Sequence, residues 1–234
     1  MTVRVAMWSG PRNISTAMMR SFGSRPDTLV VDEPLYAHYL AATGIDHPGR
    51  TAILASQPQH WEDAVAGLLA PLPDGVSVHY QKHMAHHLLP PIGHGWLGSV
   101  SNAYLIRHPA QVVASYAKVR GEPTLEDLGY PQQVSIFRSY GGPVVDAADI
   151  LRSPDRVLSR LCEALGIPWD PAMLSWPAGQ RSTDGVWAPH WYAAVEASTG
   201  FAPFDPAPAV VPPHLAWLVE AATPLYEEMG AHRL

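Results

Sequence analysis

The chain has 234 residues, 47% apolar and only 15% charged, against roughly 25% charged in an average globular domain, so it can build a sizeable core and is not predominantly disordered. Its formal charge is −6, with 15 basic residues spread along the chain in no basic run, which leaves no electrostatic footprint for a nucleic-acid backbone. The uncharged stretch from His83 to Ile106 is too rich in histidine, proline and glycine for a membrane span, and the start MTVRVAMWSGPRN holds no apolar segment of signal-peptide length. These features predict a cytoplasmic protein with neither nucleic-acid nor membrane partners.

Val3 to Trp8 is a short apolar run that stops at Ser9-Gly10-Pro11, and Ile14 to Phe22 then shows helical spacing, ended by Ser24 and Pro26. A second strand, Thr28 to Val31, ends in Asp32-Glu33-Pro34, and a third, Val76 to Gln81, runs into Lys82-His83. The fourth, Ala103 to Ile106, leads into Arg107-His108-Pro109 and the helical pattern AQVVASYAKV. The single cysteine, Cys162, falls on the apolar face of the pattern VLSRLCEALG and reads as a buried structural thiol. Apolar strands alternating with helices predict an α/β fold, a mostly parallel central sheet flanked by helices, and no linker or repeat divides residues 1–234 into more than one domain. Ligands of such sheets bind at the carboxyl ends of the strands, so Ser9 to Thr16, Asp32-Glu33, Lys82-His83 and Arg107 are expected on one rim.

The segment Ser9 to Thr16 joins a strand to a helix whose first turn exposes free N–H groups. With Arg12, Asn13, Ser15 and Thr16 it can cradle a phosphate or sulfate; the plainer reading is a helix cap by Asn13 or Ser15 with Arg12 in solvent. The pattern G-x-x-x-x-G-K-[ST] is absent, because there is no second glycine and no lysine. TLVVDE nevertheless imitates the acidic strand end of a P-loop kinase-like enzyme, which would hold Mg²⁺ on Asp32 or Glu33 and on Ser15 or Thr16. Arg107 at a strand end, with Ser115 eight residues on, suggests a second anion site.

Together these segments resemble the P-loop-type sulfotransferases that use 3′-phosphoadenosine 5′-phosphosulfate (PAPS). Arg107-His108-Pro109 through Ser115 matches the family's R-x-P-x-x-x-x-x-S element in residue type and spacing, and residues 143–168 resemble its late strand, acidic turn and helix. Residues 180–191, QRSTDGVWAPHW, resemble the loop that closes over the nucleotide. DEPLYAHYL and DGVWAPHWYAAVEASTGF look like the sulfotransferase-like domain joined to branched-chain aminotransferase-like proteins. The resemblance implies that Arg12, Asn13, Ser15 and Thr16 hold the 5′-phosphosulfate, Arg107 and Ser115 the 3′-phosphate, and that Arg181 stands where the family uses a basic residue. It implies transfer of a sulfuryl group to a hydroxyl of a small molecule, with Lys82 assisting the leaving oxygen and no metal required. A non-catalytic nucleotide-binding domain is the alternative from another class.

Two residues compete for the base. His83 is the first choice, because an imidazole titrating near pH 6.5 suits base work at neutral pH, whereas Glu33, near 4.3, needs burial to raise it. The plainer reading of Glu33 is a salt bridge to Arg12 or Arg107 across the rim, a role compatible with that of base. His83, His86 and His87 lack the accompanying Glu or Cys of a zinc site and read as solvated or hydrogen-bonded. Tyr36, His38, Tyr39, Trp187, His190, Trp191 and Tyr192 form two aromatic groups that wall the substrate or pack loops on the core.

Overall fold

The structure, a computed structural model, describes residues 2–120 and 122–234. The strands are β1 (Val3–Ser9), β2 (Thr28–Asp32), β3 (Val78–Met84), β4 (Ser101–Ile106) and β5 (Val144–Asp146). Among the described residues they form one sheet, ordered β2-β3-β1-β4-β5, in which every neighbouring pair is parallel. The helices are α1 (Ser15–Gly23), α2 (Tyr36–Thr43), α3 (Arg50–Ser56), α4 (Trp61–Leu69), α5 (Pro109–Arg120), α6 (Tyr130–Tyr140), α7 (Ala147–Arg152), α8 (Pro154–Leu165), α9 (Ala188–Trp191), α10 (Ala193–Glu196) and α11 (Ala216–Gly230). The α/β class with a parallel central sheet is as the alternating pattern implies.

Strand alternation sorts side chains between two cores. Val5, Met7, Tyr80, Ala103 and Leu105 face α1, α2 and α8, whereas Ala6, Trp8, Tyr104 and Ile106 face α4, α6 and α11. Both faces are covered, so the strands read as continuous apolar runs. Helix α8 starts with Pro154 in its first turn and ends on Gly166 at φ 67°, the left-handed residue that favours glycine. Cys162 packs in its buried stripe against Met173, and burial pushes the thiol up to about 11, as a structural cysteine requires. No described helix is long and apolar enough to cross a membrane.

The strand order places the site. From β1 the chain leaves toward β2 and from β4 it leaves toward β5, in opposite directions, so a crevice opens beyond the carboxyl ends of these adjacent strands. Gly10 begins the loop there and packs on the Leu128 carbonyl so closely that an added Cβ would collide with it. Gly10→Ala is expected to cost roughly 1–3 kcal/mol, because backbone must move to admit the methyl. An unchanged chemical-denaturation midpoint would contradict that close approach.

Candidate functional site

Arg12 takes φ 56° and Glu33 takes φ 41°, the non-glycine residues with positive φ among those described. Such conformations cost about 1–3 kcal/mol each and persist only where surroundings enforce them. At Arg12 the carbonyl accepts from Arg107 Nη1 at 2.7 Å, and next door Asn13 Nδ2 donates to the Leu105 carbonyl at 2.9 Å. The Glu33 N–H donates to the Lys82 carbonyl at 2.9 Å, and its own carbonyl accepts from Gln57 Nε2 at 3.1 Å.

Neither expected residue caps α1. The cap position is Ile14, with no side-chain cap, while Asn13 Oδ1 accepts from the Ile14 N–H. The first-turn amides of Ser15, Thr16 and Ala17 therefore have no partner in the helix, and these residues line a cavity of about 390 Å³. Arg12, Arg107 and Ser115 line the same cavity, with Arg12 Nε donating to Ser115 Oγ at 3.1 Å and Arg107 Nε to Gln111 at 3.1 Å. Burial holds the Arg107 guanidinium below its usual value and the adjacent Arg12 adds to that. An anion between them relieves both.

Lys82, Glu33 and Tyr192 also line the cavity. Lys82 Nζ donates to Asp32 Oδ1 at 2.9 Å, Glu33 Oε1 at 2.7 Å and the Tyr192 hydroxyl at 2.6 Å, which engages all its protons. Tyr192 in turn donates to Asp32 Oδ2 at 2.7 Å and accepts from Trp187 Nε1 at 3.1 Å. Burial opposes the lysine's charge, but Asp32 and Glu33 outweigh it and hold its pKa well above the ordinary value. One buried lysine faces two carboxylates. Asp32 accepts from Lys82, Tyr192 and the Gly185 N–H, whereas burial raises the Glu33 carboxyl above the ordinary range and Asp32 adds to the rise, against the pull of Lys82. The expected ion pair of Glu33 with Arg12 or Arg107 is thus replaced by one with Lys82.

His83 is not in the cavity. The third strand runs three residues past Gln81, so Lys82 and His83 lie inside it and point to opposite faces. His83 stacks on Trp8 at 4.3 Å, with Nε2 against Gln81 Oε1 at 3.2 Å, and burial drives its pKa down to about 3. A buried imidazole of such weak basicity, on the far side of the sheet, is removed from the candidate bases. Ala85–His87 is a 3₁₀ turn, and His87 is buried between Tyr36 and Tyr39 rather than solvated.

Arg181 lies elsewhere. It lines a separate depression with Arg20, Thr28 and Val30, and its Nη2 donates to the Pro177 carbonyl at 2.9 Å. Trp187 is core, His38 bonds the Gln59 carbonyl, and Trp191 lines the cavity. Not anticipated were the Asp32–Lys82–Tyr192 network, the cavity residues Leu151, Val195 and Phe201, and the buried pair of Arg20 with Asp184. Asp32, Lys82 and Tyr192 each had a sequence signal, but their bonding to one another had none.

The fold is similar to that of a sulfotransferase from Alicyclobacillus acidocaldarius, with TM-score 0.57, 14% identity, and 100% of this chain and 97% of that one covered. It is also similar to the sulfotransferase domain of the Synechococcus PCC 7002 olefin synthase, with TM-score 0.52, 16% identity and 95% of each chain covered. In sequence, the branched-chain-amino-acid aminotransferase-like proteins 1 and 2 of Arabidopsis thaliana are 37% and 34% identical over 230 residues. That alignment covers 96% of this chain and 41% of each relative, so the chain spans well under half their length. The family model described as sulfotransferase domain matches residues 3–233. By that match, over nearly its whole length, the chain belongs to the sulfotransferase domain family.

Proposed function

We propose that the chain transfers a sulfuryl group from PAPS to a hydroxyl of a small-molecule acceptor, with Glu33 as the base. The observation that carries this is one cavity holding two guanidinium groups, the free amides of α1 and a buried carboxylate of raised proton affinity. The residues fit a nucleotide with two separated anionic groups: Arg12 with Ser15 and Thr16 for the 5′-phosphosulfate, Arg107 with Ser115 for the 3′-phosphate. Asn13 serves by fixing the loop to β4.

When bound, the nucleotide supplies the sulfuryl group. Arg12 and the α1 amides stabilise charge on it, and Glu33 takes the acceptor's proton. As Glu33 becomes neutral its hold on Lys82 weakens, which frees one ammonium proton for the departing oxygen. No residue here needs a metal for its role. The kinase-like reading has less support, because both oxygens of Asp32 and Oε1 of Glu33 already accept from Lys82, Tyr192 or Gly185.

Titration calorimetry with adenosine 3′,5′-bisphosphate and 5′-AMP tests the nucleotide site. Charge-assisted hydrogen bonds are worth about 1.5–3 kcal/mol, so the bisphosphate should bind at least about tenfold more tightly, with or without EDTA. Arg107→Ala should erase most of that preference while leaving 5′-AMP affinity nearly unchanged. Equal affinity for the two nucleotides, or preference for ATP with Mg²⁺, overturns the proposal. Tight bisphosphate binding with no sulfated product from a broad acceptor panel would instead favour a non-catalytic domain.

A further inference from the structure

The cavity carries a second group of side chains that the nucleotide does not account for: Tyr36, His47, Met84, His86 and His87. We infer that this group is the acceptor site and that it takes an uncharged alcohol or phenol, recognised by the imidazole of His87; the inference rests on the sulfuryl-transfer reading.

His87 is 2% exposed, and its ring is sandwiched between Tyr36 at 4.7 Å and Tyr39 at 4.6 Å, at interplanar angles of 17° and 27°. Both faces are covered, so only the ring's edge is left for recognition. Neither ring nitrogen hydrogen-bonds a described residue, and Nδ1 is fully buried without a partner. Buried polar atoms in native proteins are almost always paired, so a polar ligand group at this edge supplies what the chain does not. Burial, then His86 and His47, keep the ring uncharged at neutral pH, so it offers one donor and one acceptor and no charge. The wall adjoins the base, since the Tyr36 N–H donates to the Glu33 carbonyl at 3.0 Å.

Charge selects against ionic acceptors. Every proton of Lys82 is engaged by Asp32, Glu33 and Tyr192, and the three ions leave a net negative charge beside this wall. Arg12 and Arg107 belong to the nucleotide group, tied to each other and to Ser115. A carboxylate near the acceptor hydroxyl would meet repulsion with no committed counter-ion. An ammonium would pair with Glu33 and lower the proton affinity that the base needs. A neutral acceptor incurs neither cost.

The test is equilibrium dialysis of two matched series on the full chain saturated with adenosine 3′,5′-bisphosphate. One series is 4-ethylphenol, 4-hydroxyphenylacetate and tyramine; the other is 1-hexanol, 6-hydroxyhexanoate and 6-amino-1-hexanol. In at least one series the neutral member should bind about tenfold or more tightly than both charged members. His87→Phe, which keeps an aromatic ring in the sandwich and removes both nitrogens, should weaken the neutral member about tenfold and leave bisphosphate affinity unchanged. A charged member binding as tightly as its neutral partner in both series, no binding by either neutral member, or an unchanged affinity in folded His87→Phe overturns the inference. If that variant fails to fold, the wild-type series decides alone. Selective binding of neutral compounds with no sulfated product under PAPS removes the sulfuryl-transfer reading and leaves the neutral site standing.

Discussion

Glu33→Gln is expected to lower the transfer rate by about 10²- to 10⁴-fold, the usual range for loss of a general base, while the affinity for adenosine 3′,5′-bisphosphate changes by less than about threefold. The amide keeps the shape of the side chain and its place beside Lys82 but cannot take a proton. In the wild type the base works only when unprotonated, so the rate falls as pH drops through the pKa of Glu33. Burial raises that pKa, with Asp32 adding to the rise, and the acid limb should lie above the ordinary carboxylate value of 4.5. The limb should vanish in Glu33→Gln. His83→Phe, which preserves the stack on Trp8, should keep a near-normal rate, because His83 lies on the other face of the sheet. A near-normal rate from folded Glu33→Gln, or a lost rate from folded His83→Phe, would overturn the assignment. Steady-state kinetics across pH on the two variants decides it.

The environment inverts the order of these two bases. As free side chains the imidazole is the stronger base; in the protein His83 is driven down to about 3 while Glu33 is raised. Desolvation explains both, since it disfavours whichever form carries charge. Glu33 differs in facing a second carboxylate across a shared lysine, and in being held at φ 41° by hydrogen bonds to Lys82 and Gln57. Strain at Arg12 and Glu33, the two residues that would touch the reacting groups, is enforced by neighbours from β3, β4 and the α3–α4 connection.

Strand and helix positions were legible because the apolar runs of β1, β2 and β4 stop at Gly, Pro or charged residues, and their limits agree within two residues. The third strand was not. Its continuation, Gln81-Lys82-His83, is polar, yet every residue of β3 is buried, with Gln81 Nε2 reaching the Leu68 carbonyl and Lys82 answered by two carboxylates. Polar residues satisfied from distant segments hide a strand from any reading based on hydropathy. A strand read as ending at Gln81 leaves the faces of Lys82 and His83 undefined, and the preference for His83 over Glu33 follows. Arg12, Ser15, Thr16, Arg107 and Ser115, which line one cavity, could be grouped from the sequence because loop chemistry and spacing are local signals. The partnership of Asp32 with Tyr192, 160 residues apart, has no local signal at all. Arg181 was placed by resemblance in a loop whose anchor is its neighbour Asp184.

That anchor supports the second large effect. Asp184→Ala is expected to destabilise the fold by about 3–5 kcal/mol, which for a chain of this size lowers the thermal midpoint on the order of 10 °C. Arg20 and Asp184 are both buried, and the guanidinium meets the carboxylate through two bonds, of 2.6 Å to Oδ1 and 2.7 Å to Oδ2. Arg20 Nε has no partner, so removing the carboxylate leaves a buried charge almost unanswered. Asp184 also accepts from the Arg181 N–H at 2.8 Å, and the next residue, Gly185, donates to Asp32. The pair therefore pins the start of the segment that carries Trp191 and Tyr192 to the cavity. Arg20→Met with Asp184→Leu should recover most of the lost stability, since a buried ion pair is commonly replaceable by apolar groups of similar volume. The turn bond from Arg181 stays broken in that double variant, so bisphosphate affinity should remain below wild type. Stability of Asp184→Ala within about 1 kcal/mol of wild type by denaturant titration, or full recovery of nucleotide affinity in the double variant, would show that the ion pair neither holds the fold nor anchors the segment.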